Sequence, residues 1–65
     1  MKEFQQRVVD EKLELDGKIT RLKPFLDGDT FQTLPKEEQY RLMRQLSLMA
    51  QYSEVLGERI TAFTS

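Results

Sequence analysis

Arg7, Tyr52 and Arg59 are the side chains in this sequence best suited to recognising a ligand, and Lys12 and Lys18 are the cations that accompany them. Arginine forks match the paired oxygens of a phosphate, and an aromatic face stacks on a nucleobase whatever its identity. The five together read as a ligand-binding set for a phosphate or a stacked base. Catalysis reads poorly by comparison. The chain has no His and no Cys, which leaves only a Lys base or a carboxylate pair for nucleophilic or acid–base chemistry. Glu11 with Glu14, and Glu37 with Glu38, are the available acid pairs, and acids on a helix surface are ordinarily solvated. Gly17, Gly28 and Gly57 are isolated, so no phosphate loop is present. With zinc's usual ligands missing, we expect a non-enzymatic protein with no metal and no cofactor.

Two elements must position these residues. From Phe4 to Leu26 the apolar residues Val8, Leu15, Ile19, Leu22 and Leu26 fall on one helical seam, interrupted by Lys12. Leu42, Leu46, Met49, Leu56, Ile60 and Phe63 form a second seam, interrupted by Ser53. Between them Pro24 removes a hydrogen bond to the Thr20 carbonyl and predicts a kink rather than a stop. Asp27-Gly28-Asp29 supplies turn chemistry, with Gly28 expected at positive φ as a C-terminal cap and Asp29 capping a short turn around Phe31. Pro35, followed by Glu37 and Glu38, reads as a helix start. The expected fold is an all-α antiparallel two-helix hairpin: a single domain over 1–65, with helix 1 at about 3–27, a turn at 28–34 and helix 2 at about 35–63.

If the hairpin closes near Asp29 and Thr30, residues whose numbers sum to the mid-sixties lie side by side. Lys12 then approaches Ser53 and Leu56, and Arg7 comes level with Arg59. Lys12 either snorkels outwards while Ser53 bonds to a carbonyl one turn back, or the two form a register pin or an anion site. Arg7, Glu11, Glu14 and Lys18 make one charged row, with Arg7–Glu11 and Glu14–Lys18 as i,i+4 pairs. Gln45, Tyr52 and Arg59 recur opposite at seven-residue intervals. Glu11 either neutralises the arginines or leaves them for a ligand.

Beside the seams run further apolar positions, Val9 and Leu13 on helix 1 and Leu48, Tyr52 and Val55 on helix 2. One partner helix cannot cover so wide a face. A chain of 65 residues without disulfides is also short of core. Both facts point to association: either a homo-oligomer with these residues as its interface, through Leu48, Tyr52 and Val55 or through Val9 and Leu13, or an apolar patch left exposed for a target. The net charge of −1 and pI of about 5.3 disfavour DNA, whose binders carry a net basic surface. No stretch approaches the roughly twenty apolar residues of a membrane span, and the first residues lack the order of a signal peptide. A cytoplasmic location, with no membrane partner, is the expectation.

The run FQQRVVDEKLELDGKITRLKPFL, then Phe31 and Leu34, then EEQYRLMRQLSLMAQYSEVLGERITAF resembles a family of short phage and prophage proteins first noticed in crAss-like phages. Arg7, Val8, Glu11, Leu15, Lys18, Leu22, Tyr52, Leu56, Arg59 and Ile60 sit where that family's pattern has them, and Pro24 departs from the usual helix former. The resemblance implies a phage origin and a host-cell location. By analogy with small helical phage proteins that sequester nucleotide immune signals, it also implies counter-defence, by binding an anionic nucleotide signal or a host protein. The alternative is a structural or regulatory phage protein acting through helix pairing.

Overall fold

The computed structural model describes residues 1–63. Helix α1 runs Glu3–Leu26, the one-turn helix α2 runs Asp29–Gln32, and α3 runs Lys36–Phe63. The hairpin is a rod with extents of 46 × 15 × 14 Å. At its start the Lys2 N–H donates to Gln5 Oε1 at 3.0 Å, satisfying one of the donors that a helix N-terminus leaves free. Pro24 stays within α1. The chain passes it and closes with Asp27 N–H donating to the Pro24 carbonyl and Gly28 N–H to the Phe25 carbonyl, each at 3.1 Å. These three-residue steps tighten the last turn and occupy carbonyls that the helix end would otherwise leave unpaired.

The connection differs from the plain turn expected over 28–34. Gly28 has φ −92° and ψ 170°, and no described residue has positive φ. Gly28 therefore does not form a left-handed C-terminal cap, because it is already the extended residue that opens α2. Asp29 is correspondingly the first residue of α2 and not its cap. Phe31 is buried beneath this turn, with its ring edge-on to Phe25 at 6.4 Å. Gln39 locks the corner from α3: its Nε2 donates to the Leu34 carbonyl at 2.9 Å and the Gln32 carbonyl at 3.5 Å, and the side chain is buried. Pro35 precedes α3, its carbonyl accepting from Glu38 and Gln39 N–H at 3.0 Å.

The two seams pack as their spacing requires. Val8, Leu15 and Leu56 form the buried centre, flanked by Ile19, Met49, Ile60 and Phe63. Leu56 is wholly enclosed. At the open end Phe4 and Phe63 meet edge-to-face at 5.9 Å, an arrangement that aromatic quadrupoles favour. Among the described residues no helix is long and apolar enough to cross a membrane.

Candidate functional site

Lys12 and Ser53 meet. Lys12 Nζ donates to Ser53 Oγ at 2.8 Å and to Asp16 Oδ2 at 3.0 Å, and the Ser53 hydroxyl donates to the other Asp16 oxygen. The arrangement closes on itself, each member contacting both others. The hydrogen bond from Ser53, followed by that from Lys12, holds the Asp16 carboxyl below its ordinary value. A Ser beside a Lys has the composition of a nucleophile–base dyad, but here the ammonium is committed to a carboxylate and Ser53 is buried. This is a clamp between α1 and α3, in which the Lys12 ammonium is engaged within the chain. Asp16 escaped the reading of the sequence because an acid four residues after a Lys looks like an ordinary surface pair.

Arg7, placed by its number beside Arg59, is exposed and its nearest acid is Glu3 at 3.9 Å, not Glu11. Glu3 precedes Arg7 by four residues, the orientation in which an acid–base pair complements the helix dipole; Arg7–Glu11 has the reverse order. Glu11, Glu14, Lys18 and Arg59 form no ion pair among the described residues. Lys18 instead borders a shallow depression on α1 with Leu13, Glu14, Gly17 and Arg21. No hydrogen bond joins Arg7, Tyr52 and Arg59 to one another.

The larger concavity lies on α3. A groove of about 520 Å³ is lined by Arg41, Arg44, Gln45, Leu48, Met49 and Tyr52. Its floor is Met49, whose sulfur accepts a hydrogen bond from Gln45 Nε2 at 3.8 Å. Arg41 Nε donates to Glu38 Oε1 at 2.8 Å, whereas Arg44 has no side-chain partner among the described residues. Leu48, Tyr52 and Val55 are 57%, 45% and 51% exposed. Leu13 is 67% exposed and Val9 half-buried. Of the five ligand-binding residues expected from sequence, only Tyr52 lines this groove. Arg41 and Arg44 were missed, although they stand seven and four residues before Leu48, steps that place them on the Leu48 and Tyr52 face. A free guanidinium, a half-exposed phenol and an apolar floor can hold a flat ring carrying an anionic group. Among the described residues no group of three or more His, Cys, Asp or Glu is placed to hold a metal ion.

The comparisons agree with a phage relationship. The chain is 38% identical over 60 residues to an uncharacterized 7.5 kDa protein from the denB-rIIB intergenic region of Enterobacteria phage T4, the match covering 92% of this chain and 94% of that protein. No solved structure is significantly similar. The family model described as Sequestin matches residues 2–62, all but a few terminal positions, and the chain therefore belongs to the Sequestin family.

Proposed function

We propose that the protein is a non-catalytic phage accessory protein that acts in the host cytoplasm by binding and holding a small anionic nucleotide, which blocks a host defence signal. The observation that carries this reading is the α3 groove, where Arg44, which has no side-chain partner among the described residues, shares the lining with Leu48, Met49 and the half-exposed Tyr52. An unpaired guanidinium in a concave apolar setting gains from a bidentate anion, and the phenol supplies a stacking face. The family's name supports sequestration, and the T4 relative supports a phage setting. Arg59, seven residues beyond Tyr52 on the same flank, extends the basic surface towards the open end, with Arg7 across from it and Lys18 on the outer side of α1.

The protein acts as a homo-oligomer, because Leu48, Tyr52 and Val55 remain uncovered in a single copy. That same stripe favours a second reading, in which the partner is a host protein or another phage component docked by helix pairing. The test is to purify the protein from cells with active defence systems, denature it, and identify what is released by mass spectrometry. A nucleotide released by the wild type and not by Arg44→Ala supports the proposal. A stoichiometric host protein, with no small anion, supports the second reading and overturns the first.

A further inference from the structure

The exposed flank of α3 has the same spacing in both directions, and most of its residue types are complementary across the midpoint. Counting from Leu48, Arg44 and Tyr52 stand four residues away on either side, Arg41 and Val55 seven, and Glu37 and Arg59 eleven. Each of these seven residues is exposed. The steps of three and four keep them on one face, and the face extends for about 33 Å at ~1.5 Å per residue. From this symmetry we infer that two copies pair through α3, antiparallel about a two-fold axis at Leu48. The inference rests on the self-association proposed above and specifies its register.

A two-fold axis at Leu48 sets Leu48 against its own copy, Arg44 level with the partner copy's tyrosine, Arg41 level with its valine, and Glu37 level with its arginine at position 59. The Leu48 contact on the axis is apolar, Arg44 meets a ring, Glu37 meets a base, and Arg41 lays its aliphatic stem along the valine; every contact off the axis occurs twice. Neighbouring registers are worse. Setting Leu48 opposite Tyr52 brings Arg41 against Arg59, and setting Leu48 opposite Val55 brings Arg44 against Arg59. A parallel in-register pair stacks Arg41, Arg44 and Arg59 each upon itself. Like charges placed opposite one another at an interface select against those arrangements. Among the described residues Glu37 and Arg59 have no ion-pair partner within one copy, so the pairing across the axis breaks no ion pair described within a copy.

A consequence concerns the site. The α3 groove is walled by a single helix in one copy, and this pairing supplies the missing wall. Two equivalent sites flank the Leu48 contact, each combining Arg41 and Arg44 of one copy with the phenol of the other.

Charge exchange tests the register. Glu37→Arg and Arg59→Glu are each expected to weaken the homodimer about tenfold in Kd by sedimentation equilibrium, because each turns both acid-to-base contacts into like-charge contacts. Circular dichroism is expected to show each variant as helical as the wild type, which separates weakened pairing from unfolding. An equimolar mixture of the two variants restores assembly, since the mixed dimer again sets a base against an acid at both ends of the interface. The double variant restores it as a homodimer. A wild-type dimer whose affinity neither single variant changes, or a mixture no tighter than its components, overturns the register while leaving self-association intact. A wild-type chain that is monomeric at about 100 μM, well above the Kd of a stable dimer, overturns both.

Discussion

Lys12 of α1 donates to Ser53 of α3 across 2.8 Å, and the two residues interrupt otherwise apolar seams at the same level of the hairpin. A one-step slip of either helix would separate them, leaving the buried hydroxyl without its partners. The pair therefore fixes register more than it adds stability. Ser53→Ala should cost about 1 kcal/mol, the usual net worth of such a bond, partly offset by alanine's better helix propensity. Ser47→Ala, on an exposed position of the same helix, should stay within about 0.5 kcal/mol. Equal urea midpoints for the two variants would remove Ser53 from this role.

The clamp also makes an acid-dependent contribution. Asp16 is held below its ordinary value of 3.8 by the Ser53 hydrogen bond first and by Lys12 second. A carboxyl with a depressed folded-state pKa stabilises the fold fully above its unfolded value, and that stability is lost as pH falls through the folded value. The melting difference between wild type and Asp16→Asn should therefore be full at neutral pH and shrink only below about 3.8. A difference that never shrinks as pH is lowered from 3.8 to the acid unfolding of the chain would mean that the carboxylate charge has no part in the clamp.

Much of this hairpin was legible because its core is periodic. Val8, Leu15, Ile19 and Leu22 against Leu46, Met49, Leu56 and Ile60 is a pattern of threes and fours that only a helix satisfies. The number-sum rule placed Lys12 against Ser53 because antiparallel helices of similar length admit little else. The connection was less legible. A one-turn helix such as α2 is too short to show a period, and Gly28 serves equally well in sequence as the end of one helix or the start of the next. Gln39, a polar residue in the first turn of α3, carries no sign in the sequence that its amide holds the corner from inside. The site was the least legible part. The groove at Arg41 and Arg44 lies about 22 to 27 Å from Arg59 along α3 at ~1.5 Å per residue, and residue type alone does not announce it, because concavity depends on neighbouring side-chain shape.

Leu56 is the only described side chain with no exposure at all. Leu56→Ala should cost about 2 to 5 kcal/mol, against a total stability of about 3 to 5 kcal/mol for a domain this small. The variant should be largely unfolded at 25 °C by circular dichroism, whereas Leu13→Ala, on the exposed face of α1, should retain its helix. Unchanged urea unfolding of Leu56→Ala would contradict the packing.

Gly57 offers the opposite sign. It lies within α3, where glycine costs about 1 kcal/mol relative to alanine through the backbone freedom it must surrender. A methyl group added there would meet Lys12 Cε at 3.5 Å, an ordinary contact with the stem of the clamp. Nothing in the fold therefore needs a bare backbone at this position, and Gly57→Ala should stabilise by about 1 kcal/mol, raising Tm by about 5 °C. Gly17→Ala gives a comparison on α1. Its methyl would lie 3.3 Å from Arg21 Nη1, the far end of a flexible exposed side chain that can swing away at little cost, so it too should gain, though less. Gly57→Leu should do the reverse, because a branched side chain would displace the Lys12 stem and pull its ammonium from Ser53. If thermal melting shows Gly57→Ala to be destabilising, α1 and α3 approach more closely at this level than the 3.5 Å contact allows, and the position of the clamp would have to be redrawn.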